Sequence, residues 1–501
     1  MLKRENKQGD FFDSYVYDKL LPEKHVLLDI KKSIDFSFVD EQCKDLYSNS
    51  MGRPSFAPVV LFKILFLEFF CNLSDYEAVD QVQTNILYRY FVGLAISSPT
   101  PNHATLSVFR NRLSEKGFKK LFNRVVLQAQ EKGLIEGKLK ILDATHISAS
   151  VTVQSAVNLL RHGRKTVIQK IEKTNARLAA NMKLKYLNET KMYDTPSNQQ
   201  VNEEIQLTKY FIKKLKKKSY DESTKDVIDL LETAVDQQSR KAKDKKYKQA
   251  DEIVSLVDGD ARRGAKSKTK KFMGYKAHAS MDDKSNIVTS VRTISGNRNE
   301  GNKEETKKLL DEDESKEIKH EAVTADGLYD SYENRKNIRS NNMRAFISSR
   351  NRNRKKNLDN FIYDKENDTL ICPLGHRPIS KSRQLSRDQF IFSAKICKKC
   401  VKKENCPKLN NGRVRVTVSD TYRLSILDNG QEQKEALIKR KEIERKFGEV
   451  KVWHKLHKAR YRKRSRVAIQ VLMTFLVVNV KRMTKLINLN PQYISCSTGC
   501  G

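Results

Sequence analysis

Apolar and polar positions follow a helical period over the first quarter of the chain. The run "RPSFAPVVLFKILFLEFF" begins with helix-start residues and continues as a strongly apolar helix. The run "SDYEAVDQVQTNILYRYFVGL" begins at Ser74, and Glu77 follows three residues later as in a capping box. A third helix is predicted within "SPTPNHATLSVFRNRLSEKG". We therefore predict a helical N-terminal domain over residues 1–130. A DNA-binding role and a purely structural scaffold are its competing interpretations.

The period changes to two residues near position 140. The segment "KLKILDATHISASVT" alternates apolar and polar positions and predicts a first strand over 138–153. Residues 154–250 are rich in Lys, Glu and Gln with helical periodicity, which indicates a helical insertion. Residues 251–349 return to a strand hairpin, then alternate helix and strand. Strands with intervening helices predict an α/β fold.

The last part of the chain divides into three further predicted segments. A basic, Cys-rich insertion is predicted over 350–430, then C-terminal helices over 431–484 and a disordered tail over 485–501. The insertion contains four of the eight cysteines, which are Cys372, Cys397, Cys400 and Cys406. Clustered cysteines with a C-x2-C pair fit a tetrahedral structural Zn²⁺ site, in which His376 competes with Cys372 for the fourth position. The alternative is a set of reduced thiols without metal.

Charge narrows the class of partner. The chain has 501 residues and a formal net charge of +36. A protein this basic usually binds a polyanion, most often nucleic acid, although Lys-rich composition alone is a competing explanation. The apolar runs are interrupted by polar residues and the N-terminus has no apolar signal core. We expect a cytoplasmic protein with no membrane partner.

Two aspartates stand on predicted strands. Asp143 lies in mid-strand among apolar residues, where a charge is costly unless it is paired or metal-bound. Asp326 lies where a strand gives way to a loop, at the kind of sheet edge where α/β proteins usually place their sites. Each signal taken singly is weak, because a lone strand Asp is more often a cap or an ion-pair partner.

The helix "LIKRKEIERKFGEVKVWHK" carries three glutamates. At about 100° per residue, Arg440, Glu444 and Lys451 fall within roughly 40° of one another. Glu442 and Glu449 point elsewhere and are predicted to pair with Arg445 or Lys446 at the surface. Glu444 is therefore the candidate that joins Asp143 and Asp326, and oxygen ligands of this kind suit Mg²⁺ or Mn²⁺.

These motifs together resemble a bacterial insertion-sequence transposase of the DDE type. "ILDATHISAS" is similar to the first-Asp strand, "TADGLYDS" to the second-Asp motif, and "RKEIERKFGEVKVWHK" to the Glu helix. The resemblance covers nearly the whole chain. It implies a ribonuclease H-like mixed sheet flanked by helices and a catalytic triad of Asp143, Asp326 and Glu444. Arg440 and Lys451 would bind DNA phosphates, whereas Leu437 departs from the tyrosine of the Y-R-E-K signature.

The resemblance also implies a reaction and partners. Two Mg²⁺ or Mn²⁺ ions would assist hydrolysis at transposon ends, and the released 3′-OH would attack target DNA. The partners would be double-stranded inverted-repeat ends and target DNA, bound by a homodimer in a synaptic complex in the bacterial nucleoid. Two alternatives remain open, which are a non-catalytic end-binding relic or inhibitor and a metal-dependent nuclease unrelated to transposition.

Three further side chains have structural interpretations. His146 is predicted on the strand face opposite Asp143, which favours a structural histidine over a catalytic one. For His278, a position in the core and a position at the rim of the site are equally favoured. For Trp453, the single Trp, core packing is favoured over contact with a flipped base.

Overall fold

The computed structural model describes residues 11–48, 54–152, 154–187, 193–244, 251–267, 269–349, 361–402, 406, 414–428 and 430–490. Its centre is a mixed sheet flanked by helices and preceded by a helical region, which confirms the predicted α/β class. The ends of the predicted disordered tail and of the N-terminal domain, residues 491–501 and 1–10, lie outside the described residues.

The chain begins with the helices α1 (Phe11–Leu20), α2 (Val26–Ser33), α3 (Phe38–Cys43), α4 (Pro58–Cys71), α5 (Asp75–Thr84), α6 (Ile86–Val92) and α7 (His103–Glu131). Pro58 occupies the first turn of α4, where its missing N–H costs no hydrogen bond. Ser74 and Glu77 form the predicted capping box at the start of α5. Helix α4 is buried on nearly every face, so it is the central helix of this region.

Strand β1 (Leu139–Ser148) follows, and the helical insertion then continues as α8 (Ala156–Glu172), α9 (Ala176–Tyr186), α10 (Asn198–Leu215) and α11 (Glu222–Lys243). These four helices enclose a hydrophobic core of their own. Within it, the buried guanidinium of Arg164 forms an ion pair with Glu204. The insertion therefore folds beside the sheet and leaves β1 free to pair with strands that come later in the chain.

The sheet is completed by the strands β2 (Arg262–Ala265), β3 (Lys271–Asp282), β4 (Val288–Ser295), β5 (Ala322–Ala325) and β6 (Arg344–Ile347). Helix α12 (Lys303–Glu314) connects β4 to β5, and helix α13 (Tyr332–Ser340) connects β5 to β6. The strand order is β2-β3-β1-β5-β6, and β4 also pairs with β3. Strand β1 is antiparallel to β3 and parallel to β5. The β3–β4 hairpin was predicted, whereas β2 was not, because its four residues "RRGA" show no alternation.

The Cys-rich segment forms two small sheets, one from β7 (Ile362–Asp364) and β8 (Thr369–Ile371), the other from β9 (Ser380–Gln384), β10 (Arg387–Ile391) and β11 (Arg415–Ser419). Helix α14 (Ala394–Lys398) follows β10, and helix α15 (Asp420–Ile426) follows β11. Helices α16 (Gln431–Lys439), α17 (Lys441–Val452) and α18 (Arg464–Leu489) close the described chain. The predicted Glu helix is therefore two helices that meet at Arg440. Helix α18 continues to Leu489, into the range predicted as a tail.

Helix α18 lies at the centre of the largest core. Its buried residues pack together with those of the N-terminal helices and one face of the sheet in a single hydrophobic cluster. Among the described helices it is also long and apolar enough to cross a membrane, but 89% of its apolar stretch is buried inside the fold. A core helix of a folded domain passes the same length and composition test.

Candidate active site

Asp143 and Asp326 lie level with each other on adjacent parallel strands. The paired register of β1 and β5 ends at Ile141 and Thr324, and each aspartate stands two residues beyond its strand's last pair. The Asp143 Oδ1 atom accepts a hydrogen bond from the Ala144 amide at 2.7 Å. The Asp326 Oδ1 atom accepts one from the Leu328 amide at 2.8 Å and so caps a short 3₁₀ turn. The diverging strands therefore present both carboxylates at one opening.

Glu444 approaches this opening from the first turn of α17. Its carboxylate Oε1 lies 2.8 Å from Nη2 of Arg440, and Nη1 of the same guanidinium lies 3.4 Å from Asp143 Oδ2. Arg440 thus bridges a strand carboxylate and the helix carboxylate. Glu442 and Glu449 instead pair with Arg445 at 2.6 Å and with Lys446 at 3.0 Å, as helical phase predicted.

The pKa of the Asp143 carboxyl is strongly raised. Burial, together with the negative charges of Asp326 and Glu444, raises the pKa of its carboxyl to about 7, against the opposing effects of the Ala144 amide and Arg440. Converging carboxylates repel one another in their ionised forms, so such a site favours an added cation. The electrostatics therefore agree with a role in binding divalent ions.

An open cleft of about 1370 Å³ contains the three carboxylates. Basic side chains line much of the rest of its wall, namely Lys241, Arg263, Lys266, Lys271, Lys276, Arg298 and Lys451. Such a cleft concentrates a polyanion around the carboxylates.

His146, predicted on the strand face opposite Asp143, also lines this cleft. Its Nδ1 atom lies 3.5 Å from Nζ of Lys451. Pairing of β1 with β5 ends at Ile141, so the rest of β1 has an open edge and both of its faces border the cleft. Burial and the charge of Lys451 lower the pKa of His146 to about 4, so its ring is neutral at pH 7.

A buried layer supports the loop that follows Asp326. The Tyr329 hydroxyl lies 2.9 Å from Nε2 of His278, which is fully buried and so belongs to the core. The Asn334 side-chain amide donates to the carbonyl oxygens of Gly301 and Tyr329 at 2.8 and 3.0 Å. A Cβ atom at Gly301 would overlap the carbonyl of Leu328, so only glycine permits this close approach. Sequence reasoning missed Tyr329, Asn334 and Gly301 because their partners are distant in the chain.

Two family models match the chain. The model described as "Transposase domain (DUF772)" matches residues 15–112, and the "Transposase DDE domain" matches residues 229–480, which is half of the chain. The chain belongs to the DDE transposase family. Transposases of this family cleave and transfer nucleic-acid strands and generally use divalent metals. Neither the curated proteins nor the solved structures contain a match to this transposase.

The family match and the site overlap in part. Asp326 and Glu444 lie within the matched DDE range, whereas Asp143 lies upstream of it, on the far side of the helical insertion. The sheet nevertheless pairs β1 directly with β5. The fold of the transposase therefore brings to one cleft what the insertion separates in sequence.

The four predicted zinc ligands of the transposase, Cys372, Cys397, Cys400 and Cys406, line one pocket beside β10, together with His376. Burial raises the pKa of Cys406, and the neighbouring thiols of Cys400, Cys397 and Cys372 raise it further. The His376 amide lies 3.3 Å from Sγ of Cys372. Sulfur donors of this kind suit Zn²⁺.

Metal coordination itself stays a prediction at both places. Among the residues that the structure describes, no group of three or more His, Cys, Asp or Glu side chains is arranged to hold a metal ion as it stands. At the DDE cleft, Arg440 bridges Asp143 and Glu444 where a cation would balance their charge. The donor chemistry fits in each case, with oxygen atoms for Mg²⁺ or Mn²⁺ in the cleft and sulfur atoms for Zn²⁺ at the cysteines.

Trp453 does not pack in the core, which corrects the favoured interpretation. Its side chain is 71% exposed at the end of α17. Ile443, Phe447 and Val450 supply the buried face of that helix. A tryptophan three residues after Val450 falls outside this stripe because α17 ends at Val452 and the chain turns away.

Proposed function

We propose that this protein is a DNA transposase that cleaves insertion-sequence ends and transfers the resulting 3′-OH strand to target DNA. The observation that supports this most directly is the convergence of Asp143, Asp326 and Glu444 on one basic cleft. Three carboxylates, carried by β1, by the residue after β5 and by α17, suit a pair of divalent cations. Such ions, once bound, lower the pKa of the attacking hydroxyl group or water and stabilise the leaving oxygen.

The chain's own groups have separable roles in this proposal. Asp143, Asp326 and Glu444 would hold the cations, and Asp143 would give up its proton as they bind. Arg440 and Lys451 would bind phosphate oxygens beside the scissile bond, since charge-assisted contacts fix the position of a phosphodiester. Tyr329 would hold the Asp326 loop through its contact with His278.

The partners follow from the same chemistry. We propose that the helical domain over residues 1–130 binds the inverted-repeat ends and that a homodimer brings two ends together in the bacterial nucleoid. Lys31, Lys63 and Arg110 illustrate that many cations of this domain are partly or wholly buried within it. End recognition would therefore involve exposed side chains, and deletion of the domain would unfold the core that it shares with α18.

The test uses the full-length protein and labelled duplexes made from the DNA that flanks its gene. We expect Mg²⁺- or Mn²⁺-dependent nicking at one position and joining to a target plasmid. Asp143→Asn, Asp326→Asn and Glu444→Gln should each reduce both products to background. Glu442→Gln, on the same helix and paired with Arg445, is the matched control and should retain activity.

The outcomes separate the competing functions. Specific end binding without cleavage in any divalent ion would favour the relic or inhibitor and contradict the proposal. Cleavage of all duplexes without preference or joining would indicate a nuclease unrelated to transposition. Equal losses for Glu444→Gln and Glu442→Gln would remove Glu444 from the proposed triad.

A structural zinc is a second proposal, supported by the pocket that Cys372, Cys397, Cys400 and Cys406 line together. The metal would hold α14 against the loop after β8, because Cys397 lies on α14, Cys400 follows that helix and Cys372 lies in the loop. Its role would be stability of the small sheets, since four protein ligands leave no open position for a substrate.

A further inference from the structure

The β2–β3 hairpin projects past the end of β1. Strand β3 pairs with β1 from Asp282 back to Gly274, opposite Ser148, and its first residues extend beyond that point. There they pair with β2, which is the edge strand of the sheet, and the Met273 carbonyl accepts a hydrogen bond from the Ala149 amide at 2.8 Å. The hairpin therefore forms a wall of the catalytic cleft on the side of His146.

Three exposed cations lie on this wall, namely Arg263, Lys266 and Lys271. Within the described ranges none of the three forms an ion pair with a carboxylate. Their neighbours differ, because Lys276 pairs with Glu300 at 2.6 Å and Lys241 pairs with Glu252. Solvated surface cations are common, but several unpaired cations on one wall of a substrate cleft raise its positive potential and so attract a polyanion.

Lys266 interacts electrostatically with the catalytic helix. Burial lowers the pKa of Lys451 on α17, and the positive charge of Lys266 lowers it further. The same charge contributes to the lowered pKa of His146. The hairpin and α17 thus present cations to the same space, next to Asp143, without a carboxylate of the described hairpin between them.

Contacts of the Phe272 ring hold the two strands of the hairpin close to each other and close to β1. The ring of Phe272 lies over Gly264, where a Cβ atom would overlap both that ring and the Gly296 carbonyl. Phe272 also contacts the ring of His146, with centroids 5.2 Å apart. These contacts fix the hairpin against β1, so its cations are held at a set distance from the carboxylates.

We propose that Arg263, Lys266 and Lys271 form a phosphate-binding surface that holds the DNA backbone flanking the scissile phosphate. The inference rests on the proposed function only in that the bound polymer is DNA. Contacts to phosphates carry no sequence information, so this surface would act on end and target DNA alike. It would supply affinity and position the strand across the cleft, while the carboxylates and their ions act on the bond.

The experiment measures binding of the full-length protein to a labelled duplex of arbitrary sequence, in EDTA, across a salt series. Each lost phosphate contact lowers the slope of log affinity against log salt by about 0.9. Lys266→Ala/Lys271→Ala should therefore bind more weakly, with a slope shallower by about 2. Lys266→Arg/Lys271→Arg keeps both charges and should restore most of the slope.

Lys138→Ala/Lys319→Ala is the charge-matched control, since both residues are exposed at the opposite end of β1 and β5. It should leave the slope unchanged. The inference is overturned if the hairpin variant matches wild type, or if hairpin and control variants weaken binding equally. It is also overturned if the arginine variant restores nothing, because charge would then not be the cause.

The failure of the proposed function is a separate result. A wild-type protein that binds duplex DNA through the hairpin but never cleaves would contradict the transposase proposal and leave this surface supported. A protein that cleaves and joins ends with a wild-type salt slope in the hairpin variant would overturn only the present inference.

Discussion

The hydroxyl oxygen of Tyr329 lies 2.9 Å from Nε2 of His278, in the buried layer beneath the loop that carries Asp326. Burial, with the charge of Asp143, raises the pKa of Tyr329 well above its usual value, so the hydroxyl keeps its proton. Burial lowers the pKa of His278 to about 3, so the ring stays neutral. The pair is thus an uncharged hydrogen bond that joins the Asp326 loop to β3.

Tyr329→Phe should loosen the Asp326 loop. The substitution leaves a buried imidazole nitrogen unsatisfied, which costs about 1–3 kcal/mol of folding stability. Because Asp326 immediately precedes this loop, we expect a higher Mn²⁺ concentration for half-maximal strand cleavage. The measurements are urea unfolding and a metal titration of cleavage.

Tyr275→Phe is the control for that variant. The Tyr275 hydroxyl donates a buried hydrogen bond to Asp258 at 2.6 Å, away from the cleft, so the loss of stability should be comparable. Its metal titration should stay at the wild-type midpoint. A shared shift in both variants would show that lowered stability alone changes the metal response.

Arg440→Ala should impair cleavage more than its neighbour on the same helix. Arg440 bridges Asp143 and Glu444, whereas Arg445 pairs with Glu442. Loss of about 1–2 kcal/mol of transition-state stabilisation corresponds to roughly 5- to 30-fold in rate. Single-turnover cleavage rates should fall by this factor for Arg440→Ala and stay near wild type for Arg445→Ala. Equal rates in the two variants would assign Arg440 a purely surface role.

The sequence predicts site residues best where the geometry of a single helix determines which side chains share a face. Helical phase separates Glu444 from Glu442 and Glu449, and the ion pairs follow that phase. Alternation places His146 on the face opposite Asp143, but it does not show that the cleft borders both faces of β1, whose other edge is open after Ile141.

Such patterns do not predict contacts between segments that are distant in the chain. Tyr329 and His278 are 51 positions apart, and neither position alone indicates the other. Trp453 was misplaced because the end of α17 depends on where the chain turns toward α18, not on the period of the helix. Strand β2 is too short to show a period and forms because β3 offers it a partner.

His320 should make the folded state sensitive to acid. It is buried just before β5, and burial lowers its pKa to about 4, with the charge of Lys140 acting in the same direction. The unfolded chain titrates near 6.5, so between pH 6.5 and 4 the unfolded state binds more protons and stability falls as pH falls. We expect protonation of this residue to lower the free energy of unfolding by about 2 kcal/mol between pH 7 and pH 5.

Urea unfolding at several pH values measures this effect. His320→Gln should flatten the stability curve between pH 7 and pH 5, even if it lowers stability at pH 7. His457→Gln, at an exposed position, should keep the wild-type slope. An unchanged slope in the His320 variant would show that other buried groups account for the acid sensitivity.

Removal of zinc should destabilise the small sheets selectively. Purified protein is expected to contain about one zinc per chain, because four thiolates complete a tetrahedral site. Cys397→Ser/Cys400→Ser should lose the metal and become protease-sensitive between β7 and β11, while the central core stays folded because its hydrophobic clusters are separate. Cys71→Ser is the control, since Cys71 lies on α4 beside the Tyr88 hydroxyl and should leave the zinc content unchanged. A zinc-free wild-type protein whose four pocket thiols all react with a thiol reagent in the folded state would exclude the metal.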